Sequence, residues 1–298
     1  MIDKIPDNIV TVYQLDAQPV RGRIVKLGAA LDKALGSRYP DLVANLLGEA
    51  MLLSSLVAQS LKFKGRLVIQ CHGTNTGAVS LLMSDCTTDG HIRGYARWDD
   101  EKLKELKLDN NHLGANKLLG GGTFSMTIDQ GADMDQYQGL TAVEGERLSD
   151  CAEHYFKHSE QIPTEIRLAC GILQVPGLDS QRRGGGLMIQ KIAGDKTRGH
   201  TDEEWDTARA LFNTITDSEL LDPNLSQEEL LFRLFHENGV RVVDTAAVEA
   251  RCKCSRERLE KTLKSFDKSA LKDMAEAGAI SANCEFCDAT YIFPLEEI

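Results

Sequence analysis

The sequence lacks the features expected of a membrane or exported protein. No apolar run approaches the roughly 18 residues that a membrane helix needs. The first ten residues, MIDKIPDNIV, do not place a basic start before an apolar core, so nothing indicates export. Of its 298 residues 42% are hydrophobic and 27% charged, a composition typical of soluble globular proteins with about two domains. We therefore expect a cytoplasmic protein with no membrane partner.

Positive charge is also scarce. The chain has 34 Lys and Arg residues against 45 Asp and Glu residues, which gives a formal net charge of -11. Such a balance disfavours phosphate backbones and anionic lipid surfaces as partners. We expect no nucleic acid and no membrane partner.

The motifs of common enzymes are missing. There is no Gly-x-Ser-x-Gly elbow and no His-Glu-x-x-His pair. The glycine runs 120–122 and 184–186 do not fit a dinucleotide fingerprint, and residues 194–197 depart from the P-loop pattern because Asp195 separates the glycine from the lysine. The sequence therefore predicts no ATP site and no enzymatic activity.

Residues 10–192 predict an α+β domain. Short strands separated by Gly, Asn and Asp clusters, broken by a few helices, favour an antiparallel sheet over a doubly wound parallel one. Strands are predicted at 21–26, 66–72, 78–83, 92–98, 123–129, 137–141, 165–173 and 186–192. Helices are predicted at 27–35, 41–61 and 148–158, the second being the longest and having a broad apolar face.

The pattern changes from about Thr201. Helices are predicted at 203–211 and 227–235, and a strand only at 241–243. Residues 216–250 carry eight acidic and two basic side chains among several Leu and Phe residues. A segment this short cannot bury its own apolar face, so we expect a linker docked on the first domain, with low local stability. An ordinary stable connecting subdomain fits the same pattern.

The eight cysteines fall into two groups. In a reducing cytoplasm they are not expected to form standing disulfides. Four occur singly among apolar residues and are predicted to be core: Cys71, Cys86, Cys151 and Cys170. The other four form two pairs, Cys252-Lys-Cys254 and Cys284-Glu-Phe-Cys287, separated by twenty-nine residues.

This spacing predicts that the two pairs converge on one tetrahedral metal. Four thiolates suit a closed zinc site, and an iron-sulfur centre is the alternative. Between the pairs, Ser255 is a candidate N-cap of a first helix, and a second helix is predicted at 269–277. This short excursion has too little apolar surface to fold alone, so a metal would supply the missing stability.

The residues leave the role of the cluster open. The thiols of each pair are near enough to bond to one another on oxidation, and Lys253, Arg256 and Arg258 favour reactive thiolates. A static zinc knuckle, one able to bind nucleic acid, remains the alternative. A thiol oxidoreductase using Cys284 and Cys287 would need a frame that this fragment cannot form.

A second, weaker metal candidate lies on the helix predicted at 148–158. Cys151, His154 and His158 are spaced so that they nearly share one helical face. Solvated histidines beside a core cysteine explain the same pattern.

At the paired cysteines the sequence resembles a known family. The strings CKCSRER at 252–258 and CEFCDATYIF at 284–293 resemble the signature of the 33 kDa chaperonins, redox-regulated heat-shock holdases. The resemblance extends along the chain in the blocks LKFKGRLVIQ (61–70), IRGYA (92–96), HYFKHSEQIPT (154–164) and GGLMIQ (185–190).

The resemblance implies three parts: an N-terminal chaperone and dimerisation domain at 1–195, a metastable helical linker at 196–250, and a zinc-binding redox domain at 251–298. It implies one zinc per chain on Cys252, Cys254, Cys284 and Cys287. It further implies that oxidation pairs Cys252 with Cys254 and Cys284 with Cys287 and expels the zinc. The oxidised form would be a homodimeric holdase that binds unfolded client proteins without ATP.

Two positions depart from the family pattern. Asp288 stands at a turn where Gly or Asn is expected and where we predict a positive φ. Arg182 and Arg183 replace small apolar residues before a glycine run.

Overall fold

The structure is a computed structural model that describes residues 7–16, 18–61, 64–106, 113–131, 134–174, 180–192 and 201–298. It forms two units, Met1–Ala250 and Arg251–Ile298. The first unit contains both the predicted chaperone domain and the predicted linker. The boundary predicted between residues 195 and 196 lies outside the described residues, and the three-part division stays a prediction.

Two sheets build the first unit. Its strands are β1 (Ile9–Leu15), β2 (Val20–Leu27), β3 (Arg66–His72), β4 (Val79–Thr87), β5 (His91–Trp98), β6 (Thr123–Asp129), β7 (Tyr137–Ala142), β8 (Thr164–Leu173), β9 (Gln181–Lys191), β10 (Val240–Ala247) and β11 (Glu249–Ala250). One sheet has the order β10-β1-β2-β9-β8, and the other has the order β11-β5-β4-β3-β6-β7. All neighbours are antiparallel except β11 and β5. The predicted α+β class is confirmed.

Helices accompany both sheets. They are α1 (Ala29–Leu35), α2 (Asp41–Ala58), α3 (Asp100–Glu105), α4 (Ala115–Leu119), α5 (Leu148–Tyr155), α6 (Thr201–Phe212), α7 (Asp217–Leu221) and α8 (Gln227–Phe235). Helix α2 packs against strands of both sheets and most of its residues are buried.

Helix α2 corrects one expectation about membranes. With 18 residues the helix is long enough and apolar enough to cross a bilayer, although no apolar segment of that length was expected from the sequence. Its side chains are instead buried inside the first unit. Apart from Asp41, Asn45 and Glu49 the helix is largely apolar, and a helix of this kind is typical of a protein core as well as of a membrane.

The five-stranded sheet is apolar on both faces. Because alternate residues point to opposite sides, Val10, Val25 and Leu27 join the core around α2. The opposite face, which we call the linker face, consists of Tyr13, Leu15, Val20, Ile24, Ala169, Leu187 and Ile189.

Helices α6, α7 and α8, which we call the linker helices, cover the linker face. They and the residues next to them contribute Trp205, Ala208, Phe212, Ile215, Leu220, Leu230, Leu231, Leu234 and Phe235 to this second core. Each apolar side chain fully buried here contributes roughly 1.5–3 kcal/mol. The docking expected for this acidic segment is thus found in the structure.

A buried lysine fixes the turn after α7. The Lys26 ammonium donates hydrogen bonds to the carbonyl oxygens of Glu219 (3.0 Å), Asp222 (2.9 Å) and Leu225 (2.6 Å). Burial, followed by the charge of Arg183, lowers the pKa of Lys26 to about 8. Three carbonyl oxygens therefore replace the water that this cation loses in the folded chain.

Gly185 lies directly across from Lys26 in the β2–β9 ladder. A Cβ atom at this position would lie 2.4 Å from the carbonyl oxygen of Leu220. Only glycine allows α7 to approach β9 this closely.

Several elements differ from their predictions. Strand β1 was not predicted, and β10 runs over Val240–Ala247 instead of 241–243. The helix predicted to 158 ends at Tyr155 and continues as a π-helical turn, Phe156–Glu160. Strand β10 was underestimated because nearly all its side chains are exposed, so the alternation of a half-buried strand is absent.

The basic residues Arg182 and Arg183 are buried at the start of β9. Arg182 donates to Asp41 (2.8 Å) and to Asn45 (2.5 Å) on α2, and Arg183 pairs with Asp7 (3.0 Å). These partners neutralise the two cations, so the departure from small apolar residues is accommodated locally.

Replacing Gly185 with alanine should loosen the linker helices. We expect the Cβ clash with Leu220 to cost about 1–3 kcal/mol and to speed hydrogen exchange of the α7 amides. Gly171→Ala is the matched control, because its Cβ would meet only Leu221 Cδ1 at 3.6 Å. Equal exchange in the two variants would contradict the close approach.

Candidate metal centre

The second unit is small. It contains α9 (Arg256–Leu263), α10 (Lys268–Met274) and the antiparallel pair β12 (Ala279–Asn283) and β13 (Thr290–Pro294). The buried part of its hydrophobic core consists of Leu263, Leu271, Ile280 and Phe293. Four buried side chains are few for 48 residues, so apolar burial alone gives this unit little stability.

The first cysteine pair precedes α9. The Ser255 hydroxyl accepts a hydrogen bond from the Arg258 backbone N–H (3.3 Å), which confirms the predicted N-cap. The Arg258 side chain donates back to the carbonyl oxygen of Lys253 (3.1 Å). The residue between the two thiols is thereby tied to the first turn of the helix.

The second pair forms the turn between β12 and β13. The Cys284 carbonyl accepts from the backbone N–H groups of Cys287 (3.3 Å) and Asp288 (2.8 Å), and Cys284 N–H donates to Ala289 (2.9 Å). Asp288 has a φ of 56°, which confirms the left-handed conformation predicted there. The turn places the side chains of Cys284 and Cys287 on the same side of the β12–β13 hairpin.

The four sulfurs of Cys252, Cys254, Cys284 and Cys287 lie within 4.8 Å of one another. The distance from Cys252 Sγ to Cys284 Sγ is 3.6 Å, and that from Cys254 Sγ to Cys287 Sγ is 3.3 Å. Zinc bound to four thiolates at about 2.3 Å separates them by about 3.8 Å. The four cysteines can therefore hold a metal ion, and their number and softness are consistent with zinc.

These distances do not select a disulfide pairing. The two shortest contacts join one sequence pair to the other, as expected when four thiols surround one point. The local pairing implied by the family resemblance stays a prediction.

The thiols of the cluster differ in acidity, with the pKa values of Cys252 and Cys287 shifted in opposite directions. Burial opposes the charge on Cys252, but hydrogen bonds from the Cys254 backbone and from the other three thiols outweigh it and lower the pKa of Cys252 to about 7. Burial and the neighbouring sulfurs raise the pKa of Cys287 to about 12. A metal ion takes the four sulfurs as thiolates, so its binding releases the protons that they carry.

A tyrosine that sequence reasoning missed completes the site. The Tyr291 hydroxyl donates to Cys254 Sγ (3.2 Å), and this bond raises the pKa of Tyr291 to about 12. Its place in the sequence, four residues after Cys287, is the feature that could have identified it as a neighbour of the cluster. Donors of this kind orient ligand sulfurs and tune the metal site.

The basic surroundings predicted for the first pair are only partly present. Arg256 lies over the ring of Phe293 (4.6 Å) and pairs with Glu297 (3.2 Å). Hydrogen bonds, rather than nearby cations, lower the pKa of Cys252.

The other cysteines lie apart from this cluster. Cys71, Cys86 and Cys151 are buried and Cys170 is half-buried. Burial raises the pKa of Cys86 to about 12 and that of Cys151 to about 11. The core positions predicted for the first three are confirmed, and Cys170 packs against the edge of the same core.

The weaker metal candidate is not assembled. The Cys151 thiol donates to the Glu144 carbonyl (3.4 Å), whereas His154 stacks on His158 and bonds to Thr141. In the part of the chain that the structure describes, one group of three or more potential ligand side chains lies close enough together for a metal, and it is the four-cysteine cluster.

The two glycine runs have structural positions. Gly184, Gly185 and Gly186 lie inside β9, and Gly120 ends α4 in a left-handed conformation. Neither forms a phosphate-binding turn before a helix. The tetrapeptide 194–197 lies outside the described residues.

A family model and two relatives of known name match almost the whole chain. Residues 8–294 match the family described as "Hsp33 protein". The 33 kDa chaperonin of Caulobacter vibrioides is 47% identical over 287 residues, covering 96% of this chain and 94% of the relative. The 33 kDa chaperonin of Chromobacterium violaceum is 36% identical over 290 residues, covering 96% and 90%.

The fold has a counterpart among solved structures. The crystal structure of the 33 kDa chaperonin from Thermotoga maritima superposes with a TM-score of 0.81 at 22% identity. The alignment covers 98% of this chain and 96% of that one. At this identity the likeness concerns the fold.

If the four cysteines hold zinc, its removal should unfold the second unit and leave the central strands of the first unit folded. Because structural zinc contributes about 10–16 kcal/mol at neutral pH, a strong chelator should abolish hydrogen-exchange protection in residues 251–298 and leave β3, β4 and β6 protected. Cys284→Ser should have the same effect, and Cys170→Ser should retain both metal and protection. A second unit that stays protected without metal would contradict this dependence.

Proposed function

The chain belongs to the Hsp33 family and is therefore a chaperone, and from this premise we propose that it is a redox-regulated, ATP-independent holdase. In this proposal it is inactive while reduced and zinc-bound. Oxidation activates it to bind unfolding proteins and prevent their aggregation during oxidative or heat stress. It works in the cytoplasm, has no catalytic activity and forms a homodimer when oxidised.

The observation that carries the proposal is the convergence of four thiols in a unit with a very small core. Cys252, Cys254, Cys284 and Cys287 would hold the zinc, which would cross-link both ends of residues 251–298 and supply most of their stability. A change at these sulfurs alone therefore decides whether the unit is folded.

The chemical step is a thiol oxidation. Within each proposed pair, Cys252 with Cys254 and Cys284 with Cys287, two thiolates lose two electrons and form one S–S bond. One hydrogen peroxide molecule accepts the two electrons for each pair and, with two protons from the solvent, becomes two water molecules. Sulfurs bonded in this way are no longer thiolate ligands.

The response follows from what the linker helices cover. They bury the linker face and are followed along the chain by β10, β11 and then Arg251. We infer that unfolding of residues 251–298 removes a folded anchor after the linker and favours its release. Release exposes apolar residues such as Leu15, Ile24 and Ile189, a surface suited to unfolded clients.

The proposal is tested by light scattering of a heat-unfolded client protein. Reduced, zinc-loaded chain should leave aggregation unchanged. Chain treated with peroxide at mildly raised temperature should suppress it, with the loss of about one zinc and four titratable thiols per chain. Cys86→Ser, a change outside the cluster, should respond as the unchanged protein does. Equal suppression by the reduced chain would refute the redox switch.

Lys26 offers a second test through the linker. Lys26→Met leaves the carbonyl groups of Glu219, Asp222 and Leu225 without their charged donor. We expect docking to weaken by about 2 kcal/mol, so the variant should become active at lower peroxide and temperature. Limited proteolysis should cut residues 201–250 more than tenfold faster in the reduced state.

Lys104→Met is the control for this test. Lys104 is exposed and pairs with Glu101 on its own helix (2.8 Å), so its removal should change neither activation nor proteolysis. If Lys26→Met had the activation threshold of the unchanged protein, the linker would not be the controlled element.

A further inference from the structure

Strand β10 is held on its sheet mainly by backbone pairing. It pairs with β1 from Ile9–Ala247 to Leu15–Val240 and forms one edge of the five-stranded sheet. Nearly all its side chains are exposed, including Val242 and Val243. The ion pair between Arg241 and Asp16 (3.1 Å) is also exposed and adds little.

The pairing is also irregular. The register shifts between Val12 and Tyr13, which face Asp244 and Val242, so Val243 is an extra residue on β10. A bulge of this kind interrupts the ladder. Strand β10 therefore has few interactions that would fix its side chains in place.

Strand β1 is held independently of β10. Its residues Val10, Thr11, Tyr13 and Leu15 are fully buried. Val10 belongs to the core around α2, and Tyr13 and Leu15 belong to the linker face. On its other side it pairs with β2 over six residues. If β10 leaves, β1 remains an ordered edge strand with unpaired N–H and C=O groups.

The hydrogen bonds at the ends of the β1–β10 pair show which backbone N–H groups of β1 point to β10. The Asp16 N–H donates to Gly239 (2.7 Å) on the β10 side. Because successive residues of a strand alternate in direction, the amides of Gln14, Val12 and Val10 point to β10 as well.

We propose that β1 is a client-binding edge: when the linker is released, an extended segment of an unfolding protein replaces β10 and pairs antiparallel with β1. This inference rests on the proposed function, because β10 lies in the proposed linker, 196–250. No covalent step is involved.

The chemistry of the edge favours an unfolded polypeptide as its occupant. Backbone hydrogen bonds require no particular side-chain sequence, so the edge accepts many segments. On one side the edge adjoins Tyr13 and Leu15 of the linker face. Alternate apolar side chains of the bound segment would therefore lie against an apolar surface that release has uncovered.

A labelled peptide with the sequence of residues 240–247, VRVVDTAA, is the probe. Binding is measured by fluorescence anisotropy with reduced and with peroxide-treated full-length protein. We expect the oxidised protein to bind about tenfold or more tightly than the reduced protein, in which β10 occupies the edge.

Backbone methylation supplies the control. The Val248 N–H donates to the Asn8 carbonyl oxygen (2.7 Å). Because successive backbone N–H groups of a strand point to opposite sides, those of Ala246 and Asp244 also face β1. A peptide N-methylated at those two positions should bind about tenfold or more weakly, whereas one methylated at Thr245 and Ala247 should keep its affinity. Equal loss from both peptides would overturn the pairing.

Hydrogen exchange on the intact protein is the second measurement. The amides of Val10, Val12 and Gln14 should lose protection on oxidation and regain it when a client binds. If the oxidised chain suppresses aggregation while these amides do not respond to client, the inference fails and the proposed function stands. Protection that returns with protein concentration alone would overturn it in favour of pairing between two copies.

Discussion

The structure depends on a sheet that is apolar on both faces. The core around α2 covers one face permanently, because that helix packs between the two sheets of the first unit. The linker helices cover the other with side chains such as Phe212, Leu231 and Phe235. A sheet that is apolar on both faces needs cover on each, so displacement of the linker helices would expose an apolar surface.

The two units differ in how they obtain their stability. The first buries a large core, whereas the second buries four apolar side chains and brings four thiols together. A metal on those thiols would provide a contribution that chemistry can remove in one step, which burial cannot. In the proposed function, this difference suits residues 251–298 to sensing oxidants and the first unit to binding clients.

Much of this arrangement could be predicted from local sequence. The spacing of the cysteine pairs gave the cluster, Ser255 gave the start of a helix, and the turn chemistry gave the positive φ of Asp288. The contacts of Lys26 with carbonyls 193 to 199 residues away could not be predicted, nor could the fit of Gly185 against Leu220. Both depend on which strand meets which helix in the finished fold. Strand β10 was mostly missed because backbone pairing, which leaves no side-chain pattern, holds it.

In the proposed function the linker must dock and later be released, and its polar contacts are compatible with both. Exposed pairs such as Arg167 with Asp217 (2.7 Å) give orientation with little net stability, because water replaces them readily. Lys26 is different, since its ammonium is buried and its carbonyl partners must separate before water can reach it. On release, its recovered hydration partly offsets the three lost hydrogen bonds. A latch of this kind resists partial loosening of α7, because its three hydrogen bonds must be lost before water can replace them.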